Sequence, residues 1–135
     1  RDLARDFAQN EIAPKAAYHD QTGEFPREIC QKAFDIGLLN PSIPEEYGGA
    51  GMPCVAECII AEELAAACSG ISTAMMVNTL ATAPVVMGAS DEQKKKWIQP
   101  MTEKLTFAAY GVTEPGAGSD VPSMGRMVCP LYVSG

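Results

Sequence analysis

The sequence predicts a mainly α-helical domain that ends in a short β-like run. Three observations carry that reading. Apolar residues recur at helical spacing through most of the chain up to Pro100, prolines and glycines fall between the periodic stretches, and at Thr106 the pattern changes to small, β-branched and aromatic residues. With 135 residues, 47% of them hydrophobic, the chain can bury one real core but not two complete domains.

Over 2–18, Leu3, Ala4, Phe7, Ala8 and Ile12 line one helical face, and Pro14 is predicted to bend or end the helix. A turn is expected over 21–23, and a second helix starts near Pro26, buries Ile29, Cys30, Ala33 and Phe34, and stops at Gly37. The stretch 39–53, with three prolines and three glycines, reads as a loop. A buried helix follows over 55–68, carrying Val55, Cys58, Ile59, Leu64, Ala65 and Cys68 as its apolar set. The adjacent Glu62 and Glu63 point about 100° apart and do not converge on one atom, so both read as structural or solvent-facing. Residues 71–87 form another apolar helix, broken near Pro84, whose methionines read as adaptable core. Ser90 and Gln93 spell a capping box worth about 1 kcal/mol for a helix that runs through Trp97 and Ile98 and is stopped by Pro100.

Composition narrows the function classes. Asp and Glu number 17 against 10 Lys and Arg, and the only basic cluster, Lys94 to Lys96, reads as a solvated helix face, so nucleic acid is not an expected partner. No uninterrupted apolar run of about 18 residues occurs, so no membrane span is predicted. The chain opens on Arg1 inside helical pattern, without initiator Met or leader, and reads as a fragment or a processed form. Five irregularly spaced cysteines favour a reducing compartment. Cys54 and Cys58 lie one turn apart, but with no second pair and His19 remote, no metal site is predicted and the thiols read as buried small hydrophobes.

The segment that carries chemistry is 110–119. Tyr110, Gly111, Val112 and Thr113 form a strand-like entry, Glu114, Pro115 and Gly116 a turn, and Ala117, Gly118 and Ser119 the exit, with Asp120 beyond. Glycines there can bring backbone amides and hydroxyls close to a ligand, and Gly116 and Gly118 can adopt positive φ. On physical grounds alone a plain turn is the better reading.

The run 111–120 closely resembles the signature segment of the acyl-CoA dehydrogenase family. The resemblance extends upstream through Phe7, Ile12, Pro14, Asp20, Gly23 and Pro26, the turn at Gly37, and the glycine loop from Pro44 through Tyr47 to Gly51. Glu62 to Ala65 and Gln93 to Trp97 are most similar to the medium-chain members. It implies an amino-terminal helical bundle domain over 1–105, the first strand of a truncated β-domain with its flavin-contacting loop over 106–120, and a divergent tail over 121–135.

It also implies FAD as cofactor, a fatty acyl-CoA substrate converted to the trans-2-enoyl-CoA in fatty acid β-oxidation, electron-transfer flavoprotein as electron acceptor, a homotetrameric parent and the mitochondrial matrix. Residues 110–119 are then cofactor-binding, with Thr113 hydrogen-bonding the isoalloxazine. Ser119 reaches both the flavin pyrophosphate and the CoA portion of the substrate. The family's catalytic glutamate lies in the carboxy-terminal domain, so no catalytic residue is assigned here and Glu114 is structural. The Trp and Thr flavin motif expected beyond Asp120 is missing, since no Trp follows that position. The chain by itself is therefore expected to be inactive. Two other readings remain: a non-catalytic truncated product acting as an interaction or assembly module, and a relative with oxidase or monooxygenase chemistry.

Overall fold

A computed structural model describes residues 1–123. It contains seven α-helices among the described residues: α1 (Asp2–Phe7), α2 (Ala16–Thr22), α3 (Arg27–Asp35), α4 (Cys54–Ala67), α5 (Ser69–Gly88), α6 (Asp91–Trp97) and α7 (Pro100–Glu103).

Pro14 neither ends nor sharply divides the first helix. Proline has no N–H to donate and its ring collides with the carbonyl four residues back. The helix accommodates this by widening to a π-turn over Ala8–Ile12, tightening to a 3-10 turn over Ala13–Lys15, and resuming as α2. Gln21 and Thr22 are thus the last helical residues rather than the start of a turn, and the chain leaves at Gly23.

α3 closes with a Schellman motif. The Leu38 N–H donates to the Ala33 carbonyl at 2.9 Å and the Gly37 N–H to the Phe34 carbonyl at 3.0 Å. The left-handed residue this motif requires is Gly37, at φ 75°. Beyond it, the predicted loop contains one 3-10 turn, Glu45–Tyr47, whose Tyr47 ring is buried. Gly49 is held there by close approach, because a Cβ at this position would lie 2.0 Å from the Ile43 carbonyl oxygen.

The second proline in a helix is also carried through. α5 continues past Pro84 to Gly88, which corrects the expected break. Pro84 leaves the Leu80 carbonyl without its helical donor, and Leu80 is 54% exposed, so water can take that role. The capping box at α6 forms as the sequence specifies, with Gln93 N to Ser90 Oγ at 3.3 Å and Ser90 N to Gln93 Oε1 at 2.9 Å. Its helix ends at Trp97, and Pro100 opens α7 at the position where a missing N–H is harmless.

Two cores result. The first joins Phe7 and Ile12 to Ile29 and Ala33 of α3, Ile60 and Leu64 of α4, and Ile71 and Met75 of α5. The second gathers Ile43, Tyr47, Ala81, Ile98, Met101 and Ala108. α5 spans both. It is also long and apolar enough, by length and composition alone, to cross a membrane. Its buried stripe, however, includes Ser72, Asn78 and Thr82, and Asn78 hydrogen-bonds within the protein, which marks it as a core helix.

The buried face of α4 differs from the expected set. Ile60, Glu63 and Leu64 face inward, while Val55, Cys58 and Ala65 are exposed. The inward carboxylate is structural. Glu63 accepts from Arg1 Nε at 2.6 Å and from Arg5 Nε and Nη2 at 2.9 and 2.8 Å, fastening α1 to α4. Glu62 stays in solvent.

Those bonds, Arg5 first and Arg1 next, hold the Glu63 carboxyl down to about 2 from its usual 4.5. Its stabilising contribution is therefore complete above that usual value and is lost as the pH falls through about 2. Glu63→Gln is expected to lower the melting temperature at pH 7 and to flatten the loss of stability on acidification. Thermal unfolding followed by circular dichroism between neutral and acid pH measures both, and an unchanged acid limb in the variant contradicts the assignment.

Candidate functional site

The loop 110–119 is placed by the segment just before it. After α7 the chain runs extended, with Thr106 and Ala108 buried and Phe107 on the other side, the alternation of a strand. Among the described residues, however, no strand ladder forms over 106–112. Phe107 carries an isolated backbone bridge, and the pairing shown for its neighbours is with a side chain. Asn78, fully enclosed on α5, donates from Nδ2 to the Thr106 carbonyl at 2.9 Å and accepts at Oδ1 from the Ala108 N–H, also at 2.9 Å. Its carboxamide presents one donor and one acceptor side by side, as a neighbouring strand would.

Phe107 is fixed on the opposite side. Its ring meets the Phe25 ring edge-on at 4.9 Å between centroids, and the Arg27 guanidinium carbon lies 5.4 Å from its centre. The extended segment is thus gripped by α5 on one face and by the start of α3 on the other.

From that anchor the loop projects outward. The Glu114 N–H donates to the Ala117 carbonyl at 2.8 Å and the Ala117 N–H to the Glu114 carbonyl at 3.2 Å, closing a turn with Pro115 and Gly116 at its centre. Neither Gly116 nor Gly118 takes a positive φ, so the left-handed freedom the sequence offered is not used. Proline followed by a residue of negative φ fits a type I turn rather than type II. Ala117 tucks inward, and Gly118 lies against the Thr113 methyl, 3.7 Å from a Cβ placed on the glycine.

Thr113 and Ser119 remain exposed, and no side-chain hydrogen bond among the described residues engages either hydroxyl. Tyr110 is 37% exposed. A Cβ on Gly111 or Gly116 would meet nothing within 4 Å. Nothing among the described residues therefore requires glycine at these two places. Glu114 is half-buried with its backbone committed to the turn, which suits a structural role.

The described part of the loop presents an exposed face. A cleft of about 660 Å³ lies elsewhere, between His19, Phe25 and the start of α5, and none of its lining residues belongs to 110–119. No cluster of three or more metal-ligating side chains occurs among the described residues. What the loop can do is display hydroxyls and backbone polar groups to a ligand.

Sequence reasoning missed Asn78. The signal was present: a single carboxamide in the middle of the apolar run 71–87, at the spacing that places it on the buried stripe with Ile71, Met75 and Thr82.

Residues 1–104 match the family described as acyl-CoA dehydrogenase, N-terminal domain. A Caenorhabditis briggsae protein named as a probable medium-chain specific acyl-CoA dehydrogenase 2, mitochondrial, is 45% identical over 115 residues, covering 85% of this chain and 28% of its own length. A chain from a structure of the Acidaminococcus fermentans electron transferring flavoprotein superposes with a TM-score of 0.81 at 32% identity, over 90% of this chain and 32% of that one. A Bacillus anthracis acyl-CoA dehydrogenase complexed with FAD gives a TM-score of 0.76 at 36% identity, over 91% of this chain and 21% of the other. The chain spans under a third of the length of each.

Replacing Asn78 by Leu removes both polar contacts and strands the Thr106 carbonyl and Ala108 N–H in the interior. A cost of ~1–3 kcal/mol for each buried group left unsatisfied follows. Denaturant unfolding measures the loss, and hydrogen exchange at the Ala108 amide localises it. Protection of that amide equal to wild type would contradict the clamp.

Proposed function

The chain belongs to the acyl-CoA dehydrogenase family, and on that premise we propose that 110–119 forms one wall of an FAD site in an enzyme that dehydrogenates a fatty acyl-CoA between its α and β carbons. The observation that carries the reading is the loop itself: two unengaged hydroxyls and two glycines with open space beyond them, presented on a segment held at both faces.

The residues present fit the cofactor. Thr113, exposed at the head of the turn, would hydrogen-bond the isoalloxazine through its hydroxyl or amide, and Ser119 would reach the pyrophosphate and the CoA part of the substrate. Gly111, Gly116 and Gly118 let a planar ring approach the backbone, with Tyr110, Val112 and Ala117 completing the surface. Glu114 and Pro115 set the turn. FAD, when bound, supplies the two-electron acceptor that the dehydrogenation needs. The general base that removes the α-proton comes from sequence beyond this chain, since the only acid in the loop, Glu114, is structural. Product is the trans-2-enoyl thioester, a reaction of fatty acid β-oxidation.

Within the same reading, 1–105 is the helical domain, 106–120 opens the β-domain with its first strand, and 121–135 is the divergent tail, of which 124–135 lies outside the described residues. Electron-transfer flavoprotein is the proposed acceptor, a homotetramer the proposed parent assembly, and the mitochondrial matrix the proposed location, by analogy with the nematode relative's name.

The 135-residue chain mixed with FAD and octanoyl-CoA should show no bleaching of the flavin band, whereas a chain extended through the remaining family domains should bleach. Bleaching by the short chain overturns the missing base. In the extended protein, Thr113→Val should weaken flavin retention roughly tenfold, the worth of one hydrogen bond of about 1.4 kcal/mol. Full flavin content after dialysis of that variant would remove the Thr113 hydroxyl from the site.

A further inference from the structure

The cysteines of α4 are not the buried hydrophobes their sequence context indicated. Cys30 does fit that description: it is enclosed, and desolvation pushes its thiol up to about 11. Cys54 and Cys58 are both exposed, and Cys54 is the first residue of α4, with Cys58 one turn further on. That spacing puts the two side chains on the same face of the helix. The neighbouring Cys54 is the leading influence holding the Cys58 thiol above its ordinary value, ahead of burial and the nearby negative charge of Glu57. Glu57 adds a second feature, because its Oε1 is shielded from solvent yet has no hydrogen-bond partner among the described residues.

An exposed pair of thiols has two chemistries open to it, a disulfide or the capture of a thiophilic cation. Distances decide between them. Residues four apart on a helix hold their Cβ atoms about 5–6 Å apart, whereas a disulfide needs about 3.5–4.5 Å. Oxidation would therefore have to unwind the first turn of α4. Metal–sulfur bonds of about 2.3 Å make a linear sulfur–metal–sulfur bridge about 4.6 Å long, which spans the pair without disturbing the helix. Thiolates select soft cations, copper(I) among them.

We propose that Cys54 and Cys58 form a two-sulfur site on the surface of α4 for a soft monovalent cation of the copper(I) class. On binding, each thiol gives its proton to solvent, two S–H bonds are replaced by two metal–sulfur bonds, and no oxidation state changes. The two thiolates and the cation carry a net charge of −1. The Glu57 carboxylate attracts the cation but opposes the loss of the two thiol protons, so binding tightens as the pH rises. Metals that demand three or four protein ligands are not matched here, since the described residues offer no such cluster.

The test is anaerobic titration of the reduced full chain with copper(I) against a chromophoric chelator, with proton release followed in weak buffer. One equivalent should bind and two protons should leave. Cys54→Ser and Cys58→Ser should each weaken binding by roughly a hundredfold or more, as half the ligand set is lost, while Cys68→Ser and Cys129→Ser leave it unchanged. Far-ultraviolet circular dichroism checks that helix content survives in every variant; both target positions are exposed, and Cys54→Ala and Cys58→Ala provide second substitutions. Binding that persists in the Cys54 or Cys58 variants, transfer of the loss to Cys68 or Cys129, or no binding by the parent chain each overturns the proposal.

Discussion

One side-chain amide helps to set where the loop 110–119 stands. Asn78 lies at the middle of α5, between the core that joins α1, α3, α4 and the start of α5 and the core built around Ile98 and Met101. A carboxamide buried there without partners would be costly, so its value lies in what it holds. It satisfies the carbonyl of Thr106 and the N–H of Ala108, backbone groups that would otherwise be stranded where the helical domain gives way to an extended chain. The segment that leads into Tyr110 is held by that contact, with the Phe25 and Phe107 rings closing on the opposite face.

The same logic organises the rest of the fold. Several buried polar groups appear where two segments must be kept in a single relation. Glu63 does this for α1 and α4 through Arg1 and Arg5. The Asn40 amide donates to the Met101 carbonyl at 3.1 Å and ties the glycine-rich loop to α7. Tyr47 reaches the first residue of α6 through Asp91 at 3.2 Å. Apolar burial supplies the drive to collapse; these contacts select which collapsed arrangement forms.

Much of this was legible in the residues, and the remainder was hidden for identifiable reasons. The Gly37 stop, the Ser90–Gln93 box and the turn at Pro115 are local, and local chemistry reads directly from neighbours in the chain. Pro14 and Pro84 misled because a proline removes one hydrogen bond, which a π-turn or a solvated carbonyl can absorb when the flanking turns are well packed. α4 and α5 are apolar on nearly every side, so periodicity could not say which side faces inward, and Val55 and Cys58 were placed inside while they lie outside. Asn78 and Glu63 act across 28 and 58 residues to reach Thr106 and Arg5, and no spacing rule within one helix exposes such partners. The signature segment was the reverse case: ten residues named a family that geometry alone would have left as an open turn.

A crystal structure of a chain extended through the remaining family domains, grown with FAD, bears most directly on the whole account. It should place the Thr113 and Ser119 hydroxyls within hydrogen-bonding distance of the flavin and its diphosphate, with the Asn78 clamp on Thr106 and Ala108 intact. Bound FAD lying away from this segment, with the loop facing bulk water or other protein, would contradict it.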